Sequence, residues 1–453
     1  MNPFDKQIQI MDIDHLQLDL IKKSKKYIDR ANQSGFDISC FAETYFLSAD
    51  TPGYFILKYF IYGKRRLLNK VYVYLKSLYL IRKLSGYETY NNSNKNDFKK
   101  IVVSWSKKND FLDDGSYSDR YFKTNSKENK KILWFLISVD NKFPENLDEN
   151  IIVLSKKNNN EQSLLYIVKI FILNLFKYKF SIRKFLASLS FYSHLSKIIF
   201  EKIKPIILQS DFETIIIPYE SQPFQNYLFK NIKKLRKNIM TVGYVHSTQP
   251  FPLLNLYRDG APEKLFVHGS DQKFHLTNYL GWPNEAVKLI PSLRFKKNDK
   301  LEIESNILLP YFISNSKVYL HEFERLLSSF DKKIKPLTII NHPQMANSRS
   351  HLNLIKKLYY MLELHKNIFS ETSEQSEIFI FGGTSLVIEA LERGHKFTHI
   401  CAEPILESYS KTLWPSISVT KINDYVFKYS LKNFGSCVNL GVENNMFQKY
   451  CIG

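Results

Sequence analysis

Three stretches of the sequence combine residue types that could perform chemistry. The first is Tyr219-Glu220-Ser221-Gln222-Pro223-Phe224-Gln225, which follows the apolar run IIIP. A carboxylate at the carboxyl end of a strand is placed to act as general base or nucleophile. The same acid also reads as a solvated residue ahead of a helix start, where the dipole favours it. Gly243-Tyr244-Val245-His246-Ser247 ends the next apolar run, and His246 could hydrogen-bond Glu220 or an acceptor group. The second stretch is Ile339-Ile340-Asn341-His342-Pro343. Pro343 ends sheet pairing and fixes a turn, and His342 at a strand end suits a hydrogen bond to a phosphate oxygen or protonation of a leaving group. The third is FIFGGTSLVIEAL, Phe379–Leu391. A buried strand there runs into Gly382-Gly383, where the backbone turns tightly and a ligand can approach. Thr384 and Ser385 follow at a helix start, where hydroxyls and unpaired N–H groups suit a phosphate. An ordinary strand-turn-helix with a Thr or Ser N-cap has the same spelling.

These residues need strands to carry them, and the chain supplies two series. KKIVVSW (99–105), KILWFLISV (131–139), NIIVLSK (150–156), ETIIIPYE (213–220), NIMTVGYVHS (238–247) and EKLFVHGS (263–270) are apolar nearly throughout and are separated by helical patterns. Strands apolar on both faces predict a parallel sheet covered on both sides. The pattern restarts after the charged run KKNDKLEIES (296–305) with NILLPYFIS, KPLTIINHPQ and the Gly-Gly strand, again alternating with helices. The expected fold class is α/β, with two doubly wound units facing a cleft and extra helices at the N-terminus. The expected organisation is a helical region at 1–98, one Rossmann-like unit at 99–298 and a second at 299–453, with ETYNNSNKND (88–97) as a polar linker. Paired units of this kind bind ligands between the carboxyl ends of their strands.

The 453 residues leave ample material for packed cores, and 44% hydrophobic against 24% charged residues exclude a disordered chain. Four scattered cysteines with no CxxC, among them Cys40 and Cys401, argue against a disulfide framework or zinc site and fit a reducing compartment. The net charge of +20 favours anionic partners, although a Lys-, Asn- and Ile-rich composition also arises without selection for any partner. No HExxH, DxD, Walker A, GxSxG or GxGxxG occurs, so the expected chemistry needs no metal and no cofactor. No zinc finger, RNP signature or basic block points to nucleic acid. The N-terminus lacks a signal-peptide pattern. The longest apolar stretch, LLYIVKIFILNLF (164–176), is too short to span a bilayer. With the continuation to Lys204 it reads foremost as a core-facing helix with a solvated lysine face, and alternatively as a basic amphipathic segment against an anionic membrane.

The tandem α/β halves, Asn341-His342-Pro343 and the Gly382–Ser385 turn with Glu389 on the next helix resemble GT-B glycosyltransferases. The His-Pro with its hydroxyl pair is similar to bacterial transferases that use CMP-activated sugars, the sialyltransferases and the Kdo transferases of capsule synthesis. The first half also resembles bacterial surface-carbohydrate (capsule and lipopolysaccharide) biosynthesis proteins. That likeness lies in Ser104-Trp105, Asp119-Arg120-Tyr121-Phe122, Trp134, Tyr219-Glu220 with Gln222-Pro223-Phe224, Gly243–Ser247, Pro262 and Ser292-Leu293-Arg294-Phe295. Ser221 and Phe224 stand where that pattern usually has a small residue and a Trp.

The resemblance implies transfer of a 3-deoxy-ulosonic acid, of Kdo or nonulosonic type, from a CMP-sugar to a surface polysaccharide or lipid-linked glycan. It places His342, Pro343, Gly383, Thr384, Ser385 and Glu389 on the donor, and Glu220 with His246 in the catalytic role. It implies a cytoplasmic protein in peripheral contact with the inner membrane. The rival readings are a GT-B enzyme for UDP- or GDP-sugars, with Arg393 and Lys396 on the diphosphate, and a non-catalytic scaffold of a polysaccharide assembly complex.

Overall fold

The structure is a computed structural model that describes residues 12–33, 45–46, 51–63, 67–84, 86–91, 98–157, 164–177, 185, 188–299, 301, 303–442 and 445–452. Cys40, most of the linker at 88–97, and Lys179, Arg183 and Lys184 lie outside the described residues.

The strands of the first half are β1 (Tyr87–Tyr90), β2 (Lys100–Ser106), the short pair β3 (Ser118–Asp119) and β4 (Thr124–Asn125), β5 (Ile132–Ser138), β6 (Ile151–Lys156), β7 (Thr214–Pro218), β8 (Met240–Tyr244), β9 (Lys264–Val267) and β10 (Val287–Leu289). Eight of them form one sheet in the order β1-β6-β5-β2-β7-β8-β9-β10. All neighbours are parallel except β1, which pairs antiparallel with β6 at the edge. The alternation of the strands sorts side chains to two faces. Ile101, Val103, Leu133, Phe135 and Ile137 pack with helices Phe191–Gln209 and Pro223–Leu235. Val102, Ile132, Trp134 and Leu136 pack instead with Tyr117, Phe122 and the C-terminal Phe447.

The second half contributes β11 (Asn306–Leu308), β12 (Thr338–Ile340), β13 (Phe379–Phe381), β14 (Thr398–Ile400), β15 (Ile417–Lys421) and β16 (Val426–Leu431). Their order is β12-β11-β13-β14-β16-β15, parallel from β12 to β14 and antiparallel beyond. The molecule is thus a mixed α/β protein with two parallel-rich sheets, as the two strand series predict. In each sheet the order reverses beside the first parallel strand. The reversal falls between β2 and β7 in one sheet and between β11 and β13 in the other. Such switch points open a crevice at the strands' carboxyl ends.

The sequence reading differs from the structure in several elements. The front of the polar linker is β1, whose four residues are half-buried on the sheet edge and too polar to read as a strand. The three-residue β10 lies inside LGWPNEAVKLIPSLRF (280–295), whose pattern predicts only a helix and a loop. β12 is half-exposed because it is an edge strand. Helix Phe191–Gln209 does bury an apolar face, including Ile199, Ile203 and Ile207. Helix Leu164–Lys177 does the opposite of the foremost reading: it leaves Leu165, Val168, Ile172, Leu173, Leu175 and Phe176 exposed.

Carboxylates and backbone join the two halves. Asp271 accepts from Ser416 N at 2.7 Å and Ser416 Oγ at 2.9 Å. Glu392 accepts from the backbone N–H of Gly435, Cys437 and Val438 at 2.6–2.9 Å. That segment then pairs with the first half, with Asn439 N donating to His268 O at 2.7 Å and Ser292 N to Asn439 O at 2.8 Å. The N-terminal helix Ile13–Gln33 straddles both halves. Gln17 donates to Ile405 O and Ser408 O at 3.0 Å each, while Lys25 Nζ reaches Tyr279 O at 3.4 Å.

The crossing is tight at Gly269, where a β-carbon would meet the Cys437 carbonyl oxygen at 2.0 Å. Gly269→Ala is therefore expected to lower stability by about 3 kcal/mol or more through overpacking against backbone. Gly394 has φ +79° and nothing within 4 Å of a β-carbon. Gly394→Ala is expected to cost only about 1 kcal/mol of left-handed strain. Urea unfolding of the two variants separates them, and equal costs would refute the packing argument.

Candidate active site

The switch point of the first sheet presents the ends of β2 and β7. After β7 the chain turns sharply at Ser221, which takes φ +55°. Two groups hold this unfavourable conformation. Arg258, itself buried, donates from Nε to Ser221 Oγ at 3.1 Å and from its terminal nitrogen to the Ser221 carbonyl. The Gln225 side chain accepts from Glu220 N and Gln222 N at 3.0 Å each and donates to Pro218 O at 2.7 Å. The turn projects Glu220 into the crevice. Its Oε1 lies 3.3 Å from His246 Nε2, and its Oε2 accepts from Gln222 Nε2 at 3.0 Å.

The Glu220 side chain is 27% exposed and that of His246 only 8%, so the carboxylate faces the crevice and the imidazole stands behind it. Burial works to raise the Glu220 carboxyl. The hydrogen bond and charge of His246, the Gln222 amide and Arg294 together overcome it and hold the group below the usual glutamate range.

A second wall is built by Asp119. This buried carboxylate accepts from Ser104 Oγ at 2.6 Å, Tyr117 OH at 2.7 Å, Tyr121 N at 2.8 Å and Phe122 N at 2.7 Å. All its lone pairs are committed, so it shapes the turn that sets the Tyr121 ring edge-on to His246, 4.5 Å between centroids. Burial, and then the Glu220 charge, push the Tyr121 phenol up, which keeps it a neutral donor.

In the second sheet the switch point presents the loop after β11 and the Gly-Gly turn after β13. Gly382 has φ +63°, and a β-carbon there would lie 2.5 Å from Tyr319 OH. His399 fixes the turn: its Nε2 lies 2.7 Å from Gly382 O and its Nδ1 3.1 Å from Tyr429 OH. The carbonyl must accept, so Nε2 carries the proton. Burial brings the pKa of this imidazole to about 4, and it stays neutral. Glu407 braces the same corner, accepting from Ser314 Oγ at 2.5 Å, Tyr319 OH at 3.0 Å and Ala402 N at 2.6 Å. Gly383, Thr384 and Ser385 are half-buried at the crevice. Thr384 Oγ1 caps Leu386 N at 3.3 Å. The helix that follows, Leu386–Glu392, has only seven residues, so its dipole is small.

His342 lies two residues past β12, its ring 5.3 Å from Tyr311. Its Nδ1 accepts from Gln344 N at 3.3 Å, which leaves Nε2 to carry the proton. Burial depresses its pKa first, followed by the charges of His351, Arg294 and Lys107. Pro343 is exposed and opens a short 3-10 turn. Glu389 pairs with Arg393 at 3.2 Å, and Arg393 in turn donates to Lys296 O at 2.9 Å in the connection between the halves.

The two switch points face one another. Tyr409 OH donates to Thr248 O at 2.6 Å, in the loop after β8, and lies 3.4 Å from Thr384 O in the Gly-Gly turn. Arg294 adds its charge, after larger causes, to several of these groups: Glu220, Tyr121, His268, His342 and Glu389. It comes from the first half, half-buried, and reaches His246 O at 3.4 Å. In the sequence it is visible only as part of Ser292-Leu293-Arg294-Phe295, with no chemical cue. Tyr45 also reaches this region, since Glu220 and Tyr311 both influence its phenol after burial. It comes from the N-terminal region, and no motif marks it.

The sequence matches no family model and no curated protein. Solved structures similar in outline include the α,α-trehalose 6-phosphate synthase of Burkholderia multivorans, at 11% identity and a TM-score of 0.36, covering 61% of this chain and 70% of that one. The wall teichoic acid polymerase TagF is similar at 11% identity and a TM-score of 0.30, covering 74% and 78%. The two-sheet architecture described above rests on strand order and register, not on these likenesses.

His246→Ala removes the hydrogen bond and charge that hold Glu220 down, while burial remains. The Glu220 pKa is therefore expected to rise, by about one unit or more for the loss of a close charge-assisted bond. Carboxyl ¹³C titration reads this directly, and an unchanged titration would refute the coupling.

Proposed function

We propose that the protein is a glycosyltransferase that transfers a 3-deoxy-ulosonic acid, Kdo or a nonulosonic acid, from a CMP-sugar to a surface polysaccharide or lipid-linked glycan. The observation that supports this reading is an ionised, partly exposed Glu220 held by His246, with the charge of Arg294 bearing both on it and on His342 of the second half. A CMP-ulosonic donor brings two anions, a phosphodiester and a carboxylate. Arg294, Lys107 and the Nε2–H of His342 are the groups suited to them, since an arginine fork matches such anions in two-point contact. Thr384 and Ser385 add hydroxyl contacts, Gly383 gives close backbone approach, and Pro343 fixes the His342 turn. Glu389, committed to Arg393, supports the floor.

In the proposed step the acceptor hydroxyl oxygen attacks the anomeric carbon of the donor. The bond from that carbon to the phosphate oxygen breaks, and CMP leaves with the electron pair. Glu220 takes the hydroxyl proton, so charge and protons balance. His246 is a positioning residue: its Nε2–H holds one Glu220 oxygen, and Gln222 holds the other. Arg294 and His342 stabilise the charge that grows on the leaving phosphate. One phosphate asks for fewer counter-charges than a diphosphate, and this reading needs no divalent cation.

Thermal denaturation with CMP, CDP, UDP and GDP, each with EDTA, tests the assignment. CMP at 100 times its dissociation constant adds about 2.7 kcal/mol of stability. Selective stabilisation by CMP, lost in Arg294→Gln, is the expected result. Glu220→Gln is expected to keep the CMP shift and slow CMP release from a CMP-ulosonic donor by about 10²–10⁴-fold. Stabilisation by UDP or GDP instead overturns the donor, and no response to any nucleotide favours the scaffold reading.

A further inference from the structure

Helix Leu164–Lys177 is amphipathic with its sides reversed. Ile167, Ile170 and Asn174 share one side at helical spacing, and it is the packed side: Ile170 is buried and Asn174 half-buried. The opposite side carries Leu165, Val168, Ile172, Leu175 and Phe176, all exposed, Leu165 by 79% and Phe176 by 71%. Among the described side chains, Lys169 is the single charge on that outer face. A helix designed for water puts its polar residues outward. Here the amide faces the protein and the aliphatic groups face out.

The helix contacts the short turn Arg82–Leu84 at the end of helix Leu67–Ile81. On that neighbouring helix Leu75 is 60% and Tyr79 49% exposed. Lys83 Nζ lies 5.2 Å and the Arg82 guanidinium 5.9 Å from the centre of the Tyr79 ring. An apolar patch bordered by Tyr, Lys and Arg is the composition of a bilayer interface, where rings and cationic stems sit at headgroup level.

We propose that this face, Leu164–Phe176 with Leu75 and Tyr79, docks the protein on an anionic lipid bilayer, lying in the interface without crossing it. At 14 residues the helix is about 21 Å long, enough to lie along the surface and too short to span. Among the described residues no helix is long and apolar enough to cross a membrane. Charge selects the occupant. The chain carries +20, so a second copy of itself is repelled, whereas acidic headgroups are attracted. The inference deepens the proposed function by naming where a lipid-linked acceptor would be met, and it stands or falls independently of nucleotide binding.

The test is sedimentation of the full chain with vesicles of phosphatidylcholine alone and of phosphatidylcholine with 30% phosphatidylglycerol (about a third anionic lipid, enough to give the surface a strong negative potential). The expected result is binding to the anionic vesicles, weakened by salt, and at least tenfold weaker in Leu173→Glu/Phe176→Glu. These side chains are exposed, so the variant is expected to keep the wild-type melting temperature and nucleotide response. A Leu175→Trp variant gives a second readout: its emission should shift to the blue with anionic vesicles and be quenched by brominated acyl chains. No binding to anionic vesicles, a Trp emission that stays at the solvent-exposed wavelength, or a lipid-free dimer that the Glu pair dissociates would each overturn the proposal.

Discussion

A carboxylate taken out of water must be met by hydrogen bonds or charge, because an unmatched buried ion costs several kcal/mol. The whole arrangement of this protein follows from how it meets that demand. Asp271 and Glu392 spend their oxygens on backbone N–H groups and a serine hydroxyl of distant segments. The Asp271 bonds cross from the first half to the second, while Glu392 holds, within the second half, the segment that then pairs with the first. Glu407 does the same within the second half, tying the exits of β11 and β14 to the Gly-Gly corner. Asp119 holds the loop that covers one face of the first sheet. Moving either half breaks bonds to a buried anion, so the crevice between the switch points has one well-defined shape.

The same rule sets one carboxylate apart from the others. Asp119, Asp271, Glu392 and Glu407 are surrounded by neutral donors, and burial dominates, so their pKa values are raised. Glu220 is the exception: His246 and Arg294 supply positive charge, and its pKa is lowered despite burial. It is also partnered by side chains that leave part of it open to the crevice. A base must be ionised and reachable, and among these five carboxylates that combination belongs to Glu220. His246 is the larger cause of that difference, and Arg294, also from the first half, adds to it and bears on His342 in the second.

The fold was legible where burial writes a continuous apolar run. β5 is buried at all seven positions and β7 at all five, and both stand out as ILWFLIS and TIIIP. The candidate site was legible in the sequence where a motif sits at such a strand's end, as with Glu220, His246 and the Gly382–Ser385 turn, which the structure places at strand ends. What could not be read were parts whose meaning is purely spatial. Arg294 lies in a loop whose neighbours in sequence are not its neighbours in charge. Tyr45 belongs to a region read only as helical. His399 and Glu407 look like ordinary residues until the corner they brace is seen. β1 was hidden because half-buried edge residues keep a polar alphabet, and β10 because three residues give no periodicity.

Helix Leu164–Lys177 marks a different limit. Periodicity reports that a helix has an apolar stripe, not what the stripe faces, and a protein core and a lipid surface select much the same alphabet. The deciding residue is the least apolar one on the far side. Had Asn174 pointed outward with Lys169 and the aliphatic groups inward, the helix would close a core as Phe191–Gln209 does with Ile199, Ile203 and Ile207. It points inward, and the lone lysine of the outer face stands among aliphatic groups that water does not favour. A long-stemmed cation can lie along such a surface with its ammonium at the polar boundary. The interface between water and hydrocarbon is the environment that satisfies both parts of that face at once.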